Sequence, residues 1–154
     1  ICRPIQNDVW SKGGHHPDWC PDGATVMMNL RLHDAGLSLI RARYDGSGFE
    51  ELTTVHGSGH PTLHPNGRHI LTDVYLHESL AYGDGTTPLR LIDIEKDTEL
   101  VIARINNDPP WPGPKRELRI DPHPAWDRDY KRAAFNICDG GVRRVCVADL
   151  SGLL

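Results

Sequence analysis

Hydrophobic and polar residues alternate over several short stretches of the chain, and this alternation predicts β-strands. Residues 89–94 and 142–149 show it well, with charged side chains interspersed among aliphatic ones. Such a short period is typical of a strand, because its successive side chains point to opposite faces of the sheet. No long stretch combines the 3.6-residue period of a helix with capping residues at its ends. We therefore expect an all-β chain with very little helix.

One motif occurs three times and determines the predicted fold. The pattern His-Pro-x-(Trp/Leu)-x-x-(Asp/Asn)-(Gly/Tyr) begins at His16, His60 and His123, so the copies are 44 and then 63 residues apart. A period of about 40–45 residues is typical of the β-propeller, whose repeating unit is a four-stranded sheet called a blade. Loop-like stretches rich in proline or glycine, at residues 79–87 and 106–114, account for the longer second spacing.

Each repeat predicts the same order of strands. A first strand carries the His-Pro motif, and a turn with the sequence Pro-Asp-Gly or Pro-Asn-Gly follows it in the first two repeats. The predicted second strands are residues 25–32, 68–75 and 131–137. The predicted third strands are residues 37–44, 89–95 and 143–150, and fourth strands follow at residues 50–55 and 99–105.

The fold prediction is therefore a partial β-propeller of about three four-stranded blades. The blades take in approximately residues 15–56, 57–105 and 118–154, and residues 1–14 form the remnant of a preceding blade. Propellers usually need about 4–8 blades to close into a ring. We expect that further blades upstream, or a second copy of the chain, complete the ring.

Composition and charge narrow the classes of partner. The formal net charge of -4 gives no reason to expect nucleic acid. No apolar run approaches the roughly 20 residues that span a bilayer, so we expect no membrane partner. The composition is that of an ordinary soluble protein. It is compatible with a location in the cytoplasm or in the periplasm.

The four cysteines are expected to be free thiols. They show no Cys-x-x-Cys spacing, which argues against a zinc site of that kind. If a tight hairpin turns at the Gly140-Gly141 pair, Cys138 faces Arg143 across the hairpin. Cys146 then lies about three positions further along, too far away for a disulfide with Cys138. Free thiols are usual in a reducing compartment.

The repeated unit, His-Pro-x-Trp-x-Pro-Asp-Gly in its first copy, resembles the repeat of TolB-type propellers over nearly the whole chain. A narrower resemblance, to oligogalacturonate lyase, rests on three stretches: Gly-His-Pro at residues 59–61, Asp-Pro-His-Pro-Ala-Trp at residues 121–126, and residues 144–150. That enzyme is a seven-bladed propeller of pectin breakdown. The resemblance implies that histidines of successive blades hold manganese in the central channel, and that an arginine of an earlier blade helps to abstract a proton.

The chain departs from the lyase pattern at two points. Asp121 replaces the first histidine of the family's His-Pro-His-Pro stretch, although an aspartate can still ligate a hard cation such as manganese. The family's further glutamine ligand has no clear match, since Glu117 and Leu118 occupy that neighbourhood.

The repeated histidines are the candidate metal ligands. The first strand of each propeller blade lines the central channel, so His16, His60 and His123 should point toward one axis. Imidazole suits manganese and several other transition metals, and Asp121 is a further candidate ligand. Such an ion would neutralise the carboxylate of a sugar acid and acidify the adjacent C–H bond for elimination. Alternatively, these histidines form hydrogen bonds between blades and have no catalytic role.

Two further residues are candidates for substrate binding. Trp111 lies in a proline-rich loop, where it either stacks on a sugar ring or packs against the blade. Arg144 either pairs with a substrate carboxylate or lies on a solvated strand face. The leading functional hypothesis is a lyase that cleaves uronic-acid oligosaccharides by metal-assisted β-elimination. The alternative is a non-catalytic TolB-like module that binds a protein or a glycan.

Overall fold

The computed structural model describes residues 12–34, 36–115 and 117–154, which contain eleven strands in three antiparallel sheets and no helix. The first sheet has the order β1 (Gly14–Trp19), β2 (Thr25–His33), β3 (Gly36–Arg43) and β4 (Glu50–Glu51). The second has the order β5 (Thr62–Leu63), β6 (His69–Thr72), β7 (Thr86–Asp93) and β8 (Thr98–Asn106). The third has the order β9 (Ala125–Trp126), β10 (Arg132–Asp139) and β11 (Val142–Asp149).

In each sheet, strands that follow one another in sequence are hydrogen-bonded neighbours, which is the meander expected of a propeller blade. The prediction of an all-β partial propeller is therefore confirmed. Two predicted strands are shorter in the structure: β6 ends at Thr72 instead of residue 75, and β4 contains only Glu50 and Glu51. The approximate blade boundaries stay a prediction, and the predicted remnant at residues 1–14 lies largely outside the described residues.

The hydrophobic core lies between the sheets, because the middle sheet packs on both of its faces. Ile70 and Ile92 belong to a cluster that includes Met27 of the first sheet. Leu71 belongs to another cluster that includes Phe135 of the third sheet. A strand covered on both faces is buried at successive positions, and residues 87–92 of β7 are all buried.

Two valines are exposed on the outer face of the third sheet. Val145 and Val147 of β11 are 68% and 65% exposed. Their strand neighbours Cys146 and Ala148 point to the opposite face, where they pack against the core shared with the middle sheet. Completion of a ring by further blades or a second copy stays a prediction.

The hairpin between β10 and β11 has the predicted register. It turns at Gly140 and Gly141, whose φ angles of 56° and 79° suit glycine. Cys138 lies opposite Arg143, and Cys146 lies three pairs further along, opposite Phe135. Each of the described cysteines is a free thiol, as expected, whereas Cys2 lies outside the described residues. Within the described ranges, no helix is long and apolar enough to cross a membrane.

Candidate histidine site

The structure brings the three motif histidines together. The ring centroids of His16 and His60 are 4.0 Å apart, and those of His60 and His123 are 3.8 Å apart with nearly parallel planes. The outer pair, His16 and His123, is separated by 6.5 Å. His60 is therefore the central ring of a group to which each of the three sheets, or the segment leading into it, contributes one imidazole. We call these three residues the histidine cluster.

Unusual backbone geometry aims these side chains. His16 and His123 have left-handed φ angles of 55° and 45°, which cost about 1–3 kcal/mol for residues other than glycine and occur often at functional sites. His16 also lies within a bulge between the β1 pairs made by His15 and Asp18, and a bulge redirects the side chain it carries. At the middle repeat, Gly59 takes the left-handed angle directly before His60.

Asp73 joins the middle histidine to the third sheet. Its side chain is fully buried, and its Oδ1 accepts a hydrogen bond of 2.6 Å from the backbone N–H of His60. Its Oδ2 accepts a hydrogen bond of 2.8 Å from the backbone N–H of His123. Both carboxylate oxygens lie 3.1 Å from Nδ1 of His60. A carboxylate at Nδ1 fixes the proton there and leaves Nε2 free to bind a ligand.

The pKa of Asp73 is set by two opposing effects. Burial raises it, but the hydrogen bond and charge of His60, together with the backbone N–H groups of His123 and His60, bring it below the usual value for aspartate. The carboxyl group is therefore ionised at neutral pH, as a hydrogen-bond acceptor at this position must be.

Tyr75 places a hydroxyl group beside two of the imidazoles. Its oxygen forms a hydrogen bond with Nε2 of His16 and lies 3.5 Å from Nε2 of His60. Burial, followed by the nearby charges of Asp121 and Asp73, raises the pKa of Tyr75 to about 12. Two ring nitrogens therefore converge on one protonated oxygen atom.

The environment favours the neutral form of the histidines that flank His60. Burial is the main cause that lowers the pKa of His16 to about 4, and the neighbouring histidines lower it further. The pKa values of His15 and His123 are also lowered, again mainly by burial and to a smaller extent by His60. Neutral imidazole is the form that binds metal ions.

Two cavities adjoin the histidine cluster, and His16 lines both. The first, of about 500 Å³, runs along the first strands of the sheets and includes Asp18, Thr62 and Trp126 in its wall. The second, of about 390 Å³, lies among the loops that follow β6 and β8. We call it the loop cavity.

The other predicted site residues lie in different places. Asp121 lines the loop cavity, where its Oδ2 accepts a hydrogen bond of 2.9 Å from Nε of Arg119. Trp111 is 66% exposed. Arg144 lies on β11, the strand of its sheet furthest from β9, and forms an ion pair of 2.8 Å with Asp139. The structure therefore brings Asp121 close to the cluster and leaves Arg144 outside it, while the roles predicted for these residues stay predictions.

The two motif tryptophans differ in their packing. Trp126 packs against the core shared by the second and third sheets, with its ring centroid 5.2 Å from that of His64. Trp19 is instead 59% exposed and forms part of the wall of the first cavity.

Asp73 was not among the predicted site residues, although the sequence contains a signal for it. Each motif histidine is followed thirteen residues later by an aspartate or asparagine, namely Asn29, Asp73 and Asn136. Asn29 donates a hydrogen bond to the backbone oxygen of Gly59 in the next repeat, as Asp73 binds the backbone of His123 in the repeat that follows it. In the first two repeats this position therefore connects one repeat to the next, whereas Asn136 binds the backbone of Asp121 in its own repeat. Only in the middle repeat does the position carry a charge.

The side chains have the right chemistry for a divalent metal ion, but they are not gathered around one point. In the described part of the chain, no group of three or more His, Cys, Asp or Glu side chains is arranged to hold an ion. The rings of His60 and His123 are stacked, and the carboxylate of Asp121 is turned toward Arg119. The imidazole nitrogens and the carboxylate behind His60 nevertheless fit such an ion. Ring rotations are needed to bring three donors to one point.

Comparison with solved structures identifies similar folds. An oligogalacturonate lyase in complex with manganese shares 20% identity with a TM-score of 0.67, over 90% of this chain and 35% of the other. TolB from Acinetobacter baumannii shares 12% identity with a TM-score of 0.60, over 88% of this chain and 29% of the other. The chain has a TolB-like β-propeller fold.

An oligogalacturonate lyase from Vibrio parahaemolyticus gives a similar result, with 16% identity, a TM-score of 0.64, and coverage of 89% of this chain and 35% of the other. The chain thus spans roughly a third of the length of these TolB-like propellers. No protein-family model matches it, and neither does any curated protein sequence. At these identities the likeness establishes the fold alone.

Proposed function

We propose that the histidine cluster binds a divalent metal ion and that the protein is a lyase acting on uronic-acid oligosaccharides. The proposal rests on the close approach of three imidazole rings, those of His16, His60 and His123. The buried carboxylate of Asp73 lies behind the central ring. The fold it shares with a lyase that binds manganese adds support.

His60 and His123 are the proposed principal ligands, with His16 and Asp121 as further ones. When bound, a divalent ion such as manganese would withdraw charge from a substrate carboxylate and acidify the adjacent C–H bond. Asp73 orients His60 by holding the proton on Nδ1. Tyr75 keeps its own proton at neutral pH and is placed to donate a hydrogen bond beside the cluster.

The first test measures metal binding through thermal stability. We expect manganese to raise the melting temperature of the purified protein, because a ligand that binds only the folded state stabilises it. The His60→Gln variant should lose this increase. His33→Gln serves as the matched control, because His33 is exposed and pairs with Glu51 on the first sheet.

The second test follows the reaction. Incubation with oligogalacturonate and manganese should produce the ultraviolet absorbance of an unsaturated uronide, and His60→Gln should abolish it. Absence of both bound metal and product would refute the proposal.

A non-catalytic binding module is the second candidate, and the stacking of His60 on His123 favours it. Stacked rings do not direct their nitrogens to one point, and the fold is shared with TolB as well as with the lyases. Binding of oligogalacturonate that is independent of metal and yields no unsaturated product would support this alternative.

A further inference from the structure

The hydroxyl group of Tyr75 lies against ring nitrogens of two cluster histidines. Its oxygen forms a hydrogen bond with Nε2 of His16 and lies 3.5 Å from Nε2 of His60. Nδ1 of His60 is held by the carboxylate of Asp73, both of whose oxygens lie 3.1 Å away, so Nε2 is the nitrogen that this ring has left for a ligand. Two nitrogens that an ion would need therefore converge on one phenol oxygen.

A hydrogen bond at a ring nitrogen and a bond to a metal ion compete for the same nitrogen. A neutral imidazole has one N–H group and one nitrogen with a free lone pair. If Tyr75 donates the hydrogen bond, its proton takes the lone pair at Nε2 of His16, and if Nε2 donates it, this nitrogen has no free lone pair. In either case Nε2 of His16 binds an ion only after the hydrogen bond with Tyr75 is broken.

Tyr75 has space into which its hydroxyl group can turn. It lies in the loop after β6, and its half-buried side chain forms part of the wall of the loop cavity, whose volume is about 390 Å³. The guanidinium carbon of Arg119, in the same wall, lies 5.6 Å from the centre of the tyrosine ring, within the range of a cation–π contact. Val74, which is fully buried, holds the backbone in place. A change of side-chain rotamer can therefore move the hydroxyl group away from the histidines without unfolding the loop.

We propose that Tyr75 is a latch that keeps the metal-free histidine cluster closed and sets its affinity for divalent ions. In the closed state the hydroxyl group holds Nε2 of His16. In the open state it turns toward the loop cavity and releases this nitrogen. The free energy of opening is subtracted from the free energy of ion binding, so the latch weakens the observed affinity. The proposal rests on the metal site of the proposed function, but not on the lyase reaction.

Removal of the hydroxyl group alone should strengthen metal binding. Tyr75→Phe keeps the ring and its contact with Arg119 but has no group that holds Nε2 of His16. We expect manganese to bind this variant about threefold to tenfold more tightly than the wild type, the range that corresponds to the net contribution of one hydrogen bond. Tyr82→Phe is the matched control, because Tyr82 is a loop tyrosine outside the cluster that also has an arginine, Arg104, over its ring, at 4.4 Å.

The experiment is calorimetric titration of manganese into the wild type and both variants, each stripped of metal with a chelator that is then removed. Thermal unfolding of each metal-free variant checks that it is folded. A second measurement uses the wild type alone, with carbon-13 label in its tyrosine rings and zinc as a diamagnetic probe ion. The nuclear magnetic resonance signal of the Tyr75 ring should shift as zinc is added, because the hydroxyl group leaves His16, whereas the signal of Tyr82 should not.

The outcomes separate the latch from the metal site. Manganese binding that is tighter in Tyr75→Phe and unchanged in Tyr82→Phe would support the latch, including the case in which Tyr75→Phe binds the ion and the wild type does not. Binding by Tyr75→Phe that is equal to or weaker than that of the wild type would overturn the latch and leave the metal site standing. Absence of binding in both proteins would overturn the latch and the metal site together. A Tyr75 signal that stays in place when zinc is added would also overturn the latch.

Discussion

Replacement of Asp73 by asparagine tests the carboxylate that holds two of the motif histidines through hydrogen bonds. The carboxylate accepts hydrogen bonds from three N–H groups: the backbone of His60, the ring Nδ1 of His60 and the backbone of His123. The oxygen of an asparagine can still accept from one or two of these donors. Its NH₂ group, however, faces another donor, so at least one buried N–H loses its partner.

The expected loss of stability follows from these contacts. A buried donor left without a partner costs about 1–3 kcal/mol. We expect Asp73→Asn to lower the free energy of unfolding by about 1–3 kcal/mol, a substantial part of the total for a typical domain. Asp149→Asn is the control, because Asp149 binds Ser151 in an exposed turn and should matter much less.

Urea unfolding of the metal-free protein near pH 7 measures the loss of stability in Asp73→Asn and in Asp149→Asn. The contribution of Asp73 should also depend on pH. Its folded pKa is lowered, so the unfolded state takes up the proton first as the pH falls. The stabilisation is therefore fully present above the usual aspartate pKa of about 3.9 and is lost as the pH falls toward the folded value. A loss in Asp73→Asn no larger than that in Asp149→Asn would refute this reasoning.

Three further predictions concern the backbone, the protonation and the thiols. Gly59→Ala should destabilise the protein more than Gly23→Ala in urea unfolding, because both glycines have left-handed φ but only at Gly59 would the new Cβ overlap a buried carboxylate. The stability of the metal-free protein should fall as the pH drops from about 6.5 to about 4, because His16 takes up a proton over this range in the unfolded state but not in the folded state. His16→Gln should therefore reduce the dependence of the melting temperature on pH. A reductant should leave the melting temperature unchanged, since Cys138 and Cys146 are free thiols; a decrease would contradict this.

The sequence predicted the fold well because the repeats carry strong local signals. The His-Pro motif marks the segment that leads into each first strand, and the paired glycines at Gly140 and Gly141 fix the register of the last hairpin. The middle repeat was predicted less accurately. Its second strand ends at Thr72, because Asp73 and Tyr75 bind the histidines instead of continuing the strand pairing.

The candidate site was predicted only in part. The repeat alone indicated that the three histidines meet, since equivalent positions in successive blades face a common axis. It did not indicate that Asp121 would turn to Arg119, because that contact depends on the conformation of the long loop after β8. Nor did it indicate the loop cavity. Its wall combines His15 and His16 of β1 with residues of the two loops that follow β6 and β8.

The most direct test of the metal site is electron paramagnetic resonance of the protein with bound manganese. We predict couplings to imidazole nitrogen in the pulsed spectrum, because His60 and His123 would each bind the ion through a ring nitrogen. These couplings should decrease in His60→Gln and persist in His33→Gln. A manganese signal without any nitrogen coupling, or one that is the same in His60→Gln and the wild type, would contradict the assignment of the histidine cluster as a metal site.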